Sequence, residues 1–118
     1  MLPLSFAQQR LWFLAQMDGG NTAYNIPLGL HLRGRLDAVA LQRALTRIVA
    51  RHETLRSRFA QLHDEAQVLI APVDSGLPLI VEDWRQQPQT DETLRALVET
   101  EARGPFNLQD GPLIRGRL

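Results

Sequence analysis

The sequence predicts an α+β domain with helices laid on a sheet. Three observations carry that expectation. Helix-like and strand-like segments follow one another in the order α-β-α-β-β-β-α-β. The strand-like runs are short and bounded by Gly, Pro and Asp. There is no Gly-x-Gly-x-x-Gly and no βαβαβ rhythm, which argues against a dinucleotide-binding fold.

The first helix opens at Ser5, whose hydroxyl and the Gln8 side chain form the two halves of a capping box. Ala7, Leu11, Leu14 and Ala15 then share one face, with Trp12 and Phe13 beside it. Gly19-Gly20-Asn21 is the expected stop, and Asp18 reads as a turn residue. From Leu28 to Leu32 the pattern Leu-Gly-Leu-His-Leu alternates strictly and predicts a half-buried strand, entered after Pro27 and left at Gly34. Asp37 is a good N-cap for the next helix. Leu41, Ala44, Leu45, Ile48 and Val49 form its apolar stripe, and Arg47, Arg51 and His52 lie towards its negative end.

Leu55 to Ala60 and Gln67 to Ala71 read as two strands of a hairpin around His63-Asp64-Glu65, with Pro72 closing the second. Leu79 to Trp84 predicts a further short strand with Pro78 at its edge. Thr90, Asp91 and Glu92 open a third helix whose apolar face is Leu94, Leu97, Val98 and Ala102, and Gly104-Pro105 ends it. Asp110 beside Gly111 reads as a turn residue. Pro112 to Leu118 predicts a last strand. Leu32-Arg-Gly-Arg-Leu36 and Ile114-Arg-Gly-Arg-Leu118 resemble each other, over too few residues to make a repeat.

Composition narrows the function. The 118 residues suit one domain, and 44% hydrophobic with 22% charged residues is ordinary for a globular chain. Thirteen cations balance thirteen anions, which argues against a nucleic-acid or membrane-surface binder. All thirteen cations are Arg, which excludes a Schiff-base or P-loop Lys. Without Cys there is no disulfide, thiolate nucleophile or Cys-bound zinc. No apolar run approaches a membrane span, and no leader opens the chain, so a soluble cytoplasmic protein is expected.

Catalytic candidates are few. His31 falls opposite the Leu28-Leu30-Leu32 face, His63 lies in a turn, and no two histidines have metal-ligand spacing, so no metal is expected. Ser5 lacks a nucleophile-elbow context and reads as a cap. The carboxylates are scattered singly. His52 stands in Arg51-His52-Glu53-Thr54-Leu55-Arg56, read either as cations complementing a helix C-terminus or as a polar cluster at a helix-to-strand junction. Composition and spacing reach an α+β domain with no visible active site.

Two longer motifs carry a resemblance. Ser5-Phe-Ala7-Gln8-Gln-Arg10-Leu11-Trp12-Phe-Leu14 resembles the first core motif of nonribosomal peptide synthetase condensation domains, Ser-x-Ala-Gln-x-Arg-Leu-Trp-x-Leu, at every fixed position. Arg51-His52-Glu53-x-Leu55-Arg56-Ser57-x-Phe59 is similar to the second, Arg-His-Glu-x-Leu-Arg-Thr-x-Phe, with Ser57 in place of Thr. Tyr24-Asn25-Ile26-Pro27 and Phe106-Asn-Leu108-x-x-Gly111-Pro112-Leu113 also sit where that family carries similar segments, and Met1-Leu2-Pro3-Leu4 resembles its usual start. Epimerisation domains share the fold, but their second motif more often reads His-His-Asp-x-Leu-Arg, so Arg51-His52-Glu53 favours condensation. A non-catalytic carrier-docking or scaffold piece is the other alternative.

The resemblance implies that residues 1–118 are the N-terminal part of a condensation domain, most of one lobe of a chloramphenicol-acetyltransferase-like sandwich. It implies a catalytic His-His-x-x-x-Asp-Gly segment and a second lobe beyond these residues, which hold no His-His pair. The family's activity is amide formation between a donor acyl or peptidyl thioester and an acceptor aminoacyl thioester. No cofactor is then held directly; the phosphopantetheine arms belong to partner carrier domains, and an adenylation domain stands in the parent chain. By the same resemblance Arg56 matches an Arg that pairs with the Asp of the catalytic segment, so that it is expected unpaired or solvated here. Arg51 matches a second important Arg. Ser5, Gln8, Arg10, Trp12, His52 and Glu53 match motif or structural positions, and Gln8 and Arg10 read as structural. The residues alone are expected to be inactive and to self-associate.

Overall fold

The computed structural model describes residues 2–17, 24–87 and 90–118. In chain order the elements are β1 (Leu2–Pro3), α1 (Phe6–Met17), α2 (Ala38–Arg51), a 3₁₀ turn (Glu53–Arg56), β2 (Ser57–Leu62), β3 (Glu65–Ile70), β4 (Leu79–Ile80), α3 (Asp91–Arg103) and β5 (Gly116–Arg117). The architecture is α+β, as predicted. The sheet divides in two: antiparallel β1-β3-β2, and a short parallel pair, β4 with β5.

Each helix starts where its local chemistry says it should. Gln8 Oε1 accepts the Ser5 N–H at 2.8 Å and Ser5 Oγ accepts the Gln8 N–H at 3.2 Å, which completes the predicted capping box. Asp37 Oδ1 accepts the Ala40 N–H and caps α2. Thr90 caps α3 in a reciprocal box with Thr93, and Asp91 and Glu92 sit at its positive end. The predicted stop at Gly19-Gly20-Asn21 and the Asp18 turn lie outside the described residues.

The hairpin is firmly determined by its turn. His63 (φ 53°) and Asp64 (φ 65°) are both left-handed, as a two-residue type I′ turn requires. They set the register Leu62↔Glu65, Ala60↔Gln67 and Phe59↔Val68, and β1 extends it through Leu2↔Val68. Leu4, Val49, Ala60, Val68 and Leu77 make the buried apolar set. Val49 is 1% exposed, and burying a side chain of its size contributes about 1.5–3 kcal/mol.

Several expectations are corrected. Leu28 to Leu32 is not a strand: the segment is unpaired, and Leu28 (83% exposed), Leu30 and Leu32 face solvent together with His31. Alternation marks a residue run that can be half-buried, but a strand exists only when a neighbour supplies hydrogen bonds, and none does so among the described residues. Leu55 and Arg56 belong to the 3₁₀ turn, so the strand starts at Ser57, while Gln61, Leu62, Glu65 and Ala66 join the ladder and Ala71 lies past its end. The strand predicted over Leu79 to Trp84 shortens to two residues, and that over Pro112 to Leu118 to Gly116–Arg117. β1 was not foreseen.

The helix faces are also shallower than their patterns suggest. Ala7 and Leu11 on α1, Ala44 and Ile48 on α2, and Leu94 and Val98 on α3 are exposed. The radius of gyration is 16.7 Å and the extents are 52 × 30 × 18 Å, against about 13–14 Å expected for a compact chain of this length. The chain is a slab, with its tightest packing between α2, the 3₁₀ turn and the hairpin.

The left-handed turn is testable. Asp64→Gly should raise the thermal midpoint by relieving the left-handed backbone. Asp64→Val, which cannot adopt it cheaply, should cost about 1–2 kcal/mol in denaturant melts. Equal stability of the two variants would show that the turn does not set the register.

Candidate functional site

The end of α2 poses a physical problem. Its last carbonyls have no intrahelical donors, and they face inward. Arg56 solves it from the 3₁₀ turn. Its Nε donates to the Val49 carbonyl at 3.0 Å and its Nη2 to the Ala50 carbonyl at 3.2 Å. Its Nη1 reaches across to the Ala71 carbonyl at 2.8 Å, while the Arg56 carbonyl accepts the Ala71 N–H at 2.8 Å. Arg56 is 9% exposed, and its guanidinium sits at the negative end of the helix, where a cation is favoured. The expectation that Arg56 is unpaired or solvated is therefore corrected. Backbone carbonyls, which no sequence motif displays, satisfy three of its five N–H donors.

The rest of the junction faces outward. His52 closes α2 through its backbone N–H to the Ile48 carbonyl, and its ring is exposed. Ser57 Oγ donates to the Glu53 carbonyl at 3.1 Å, and a Thr hydroxyl would serve equally. Arg51 and Glu53 are exposed, without a side-chain hydrogen bond among the described residues. Beside Arg56 opens a cleft of about 370 Å³, lined by Arg58, Ala71, Asp110 and Gly111 among others. Asp110 lies in the predicted turn, which Asn107 caps.

The first motif stands apart. Ser5 and Gln8 are the α1 cap, Arg10 is exposed and Trp12 is half-buried; no described hydrogen bond joins them to the α2 junction. Among the described residues no cluster of His, Asp and Glu could hold a metal ion, and no helix is long and apolar enough to cross a membrane.

A second polar cluster was not anticipated. The Glu101 carboxylate bridges Arg115 and Arg117, Arg117 also pairs with Glu82, and the Arg115 guanidinium stacks 4.2 Å over the Phe106 ring. Asn25 donates to the Ala102 and Gly104 carbonyls. The sequence did hold a signal: Arg115 and Arg117 alternate, so an extended backbone puts both on one side. Asn25 and Phe106 lie in the two shorter segments that carried the resemblance.

The condensation-domain family matches residues 1–118 in full. The chain belongs to that family. Among curated relatives, this condensation-domain chain is 49% identical over 117 residues to malpibaldin synthetase of Mortierella alpina. It is 44% identical over 117 residues to malpinin synthetase of the same organism. Each alignment covers 99% of the chain and only 2% of the relative, so the chain spans a small fraction of these synthetases. Among solved structures, the starter condensation domain of rhizomide synthetase superposes with a TM-score of 0.76 at 24% identity, covering 95% of this chain and 27% of that one. The first condensation domain of the CDA synthetase gives a TM-score of 0.66 at 21% identity, covering 95% and 30%. These likenesses establish the fold. A variant of the rhizomide starter domain has been solved with C8-CoA and Leu-SNAC.

The Arg56 tie predicts a specific pattern of damage. Arg56→Ala leaves three inward carbonyls without donors and should destabilise the chain by about 2–4 kcal/mol in denaturant melts. Arg56→Lys should recover only part of that, because an ammonium cannot span the fork. A melt of Arg56→Ala superimposable on the parent's would show that water replaces the guanidinium at no cost.

Proposed function

We propose that these residues are the N-terminal part of a condensation domain that joins two carrier-bound substrates. The observation that carries this reading is the family match over residues 1–118, which includes both long motifs. In the proposed reaction the acceptor's amine nitrogen attacks the donor's thioester carbonyl carbon. The C–N bond forms, the C–S bond breaks, and the donor carrier's phosphopantetheine thiol leaves with the amine's proton. Similarity to the rhizomide starter domain, solved with an acyl-CoA and an aminoacyl-SNAC, supports thioesters as the substrate class. The lobe is of the chloramphenicol-acetyltransferase type, and the His-His-x-x-x-Asp-Gly segment and second lobe lie outside these residues. Carrier domains present the substrates, and an adenylation domain of the parent loads them.

Within that reading Arg56 is a positioning residue, with Arg51 as a second supporting Arg. The guanidinium is held rigid by Val49, Ala50 and Ala71, and two donors remain for the carboxylate of the catalytic segment. Arg51 is exposed at the same junction, open to the rest of the domain.

The test is intact mass spectrometry of two loaded carriers. The 118-residue chain should yield no dipeptidyl carrier above a blank, and the domain restored with its catalytic segment and second lobe should yield it. In the restored domain Arg56→Ala should lower thermal midpoint and condensation rate together. A variant that melts normally but is inactive would place Arg56 on substrate, and a restored domain that releases no amide would end the reading.

The chain alone should also self-associate, because Ile26 (94% exposed), Leu28 and Leu30 lie together on an unpaired extended segment. Light scattering at about 100 μM should show a dimer; a monomer there would refute it.

A further inference from the structure

α3 is gripped at one end only. Every hydrogen bond described for residues 91–100 stays within the helix or its N-cap, and Leu94 and Val98 face solvent. The last turn, by contrast, is held from outside. Arg115 Nη2 donates to the Glu101 carbonyl at 3.0 Å and to the Gly104 carbonyl at 2.7 Å, and Nη1 donates to the Pro105 carbonyl at 2.9 Å. A Cβ at Gly104 would meet that guanidinium, which would have to shift to make room. The Glu101 carboxylate is shared: Oε1 accepts from Arg115 Nε at 3.1 Å and Oε2 from Arg117 Nε at 3.2 Å. Arg117 is pinned on its other side by Glu82, whose second oxygen takes the Trp84 indole N–H at 3.0 Å. Backbone bonds from Gly116 to Pro78, from Leu118 to Ile80 and from Glu82 to Leu118 fix β5 against β4.

We propose that Glu101 is a latch: its charged carboxylate holds α3 to the β4–β5 ladder, and loss of that charge releases α3 while α2 and the hairpin stay folded.

The two halves of the chain are tied by different chemistry. Arg56 binds carbonyls, which do not titrate. The α3 tie adds to its carbonyl bonds the Glu101 and Glu82 carboxylates, which do, and Glu101 is the group that joins Arg115 to Arg117. Arg115 and Arg117 point the same way from neighbouring positions, and the carboxylate between them neutralises their repulsion. The charged groups facing Glu101 are Arg115 and Arg117 from the β5 segment, with Glu82 beyond Arg117; on α3 itself Glu99 and Arg103 pair with each other. A released helix of 13 residues is too short to persist in water, so release melts it.

The sign of the pH dependence follows. Burial pushes the Glu101 carboxyl up, but hydrogen bonds from Arg117 and Arg115 outweigh it and hold the group below its ordinary value of 4.5. Its stabilisation is therefore fully present above that value and is lost as pH falls below it, through the folded value. Asp83 does not confuse the window. Hydrogen bonds from Arg85 hold it at about 2.

Amide exchange by NMR on the 118-residue chain is the test. At pH 7 Glu101→Gln should reduce protection in α3 about tenfold or more, the loss of one charge-assisted bond, with β2 and β3 unchanged. Gln keeps the shape but turns a donor towards an Arg donor. In the parent chain, which needs no variant, α3 should lose protection below pH 4.5 ahead of the hairpin. Parental α3 protection in Glu101→Gln, or α3 and the hairpin opening together in either experiment, would overturn the latch.

Discussion

The structure depends on one buried guanidinium. Without Arg56 the C-terminus of α2 would leave buried and part-buried carbonyls without a donor, a cost a chain of this size could not easily carry. With it, three separate backbone points, Val49, Ala50 and Ala71, are fixed to one rigid planar group. Val49 is the most buried side chain among the described residues and Ala71 directly follows β3, so the same contact sets helix against hairpin. The 3₁₀ turn is the consequence. It tightens the chain enough to bring Arg56 back under the helix it has just left.

The same solution appears a second time, with different chemistry. Arg115 reaches back to the last carbonyls of α3 as Arg56 does to those of α2. Both helices end on a cation supplied from later in the sequence, where the helix dipole favours one. An ammonium on a flexible stem would satisfy neither set, because each needs donors aimed in several fixed directions. A chain whose thirteen cations are all Arg is suited to that task. The difference lies in burial. Arg56 is buried and bonds backbone carbonyls only, whereas Arg115 is more open and shares Glu101 with Arg117.

What could be read from the sequence was what is local. The Ser5–Gln8 box, the Asp37 cap, both ends of α3 and the hairpin turn all lie within a few residues of their causes, and all are found. What was misread needed a partner from elsewhere. Leu28 to Leu32 has the pattern of a strand, but a ladder is a property of two segments, and the pattern names only one. Leu55-Arg56 looked extended because it leads straight into the strand, and only the distant carbonyls explain why the chain coils there first. The α3 cluster joins Asn25, Glu82, Glu101 and Arg115 across long sequence separations, so no local window could assemble it.

A family signature of this kind mixes two sorts of residue, and the structure separates them. Ser5, Gln8 and Arg56 each satisfy backbone groups that would otherwise be orphaned, so each has a folding role in its motif. Ser57 bonds the Glu53 carbonyl through a hydroxyl, which explains why Ser can stand where the family usually has Thr. Arg51, His52 and Glu53 do nothing comparable: they face outward at the rim of the junction that Arg56 makes rigid. Folding of these residues does not require them in that form. The buried half of the motif therefore makes the platform, and the exposed half lines its rim.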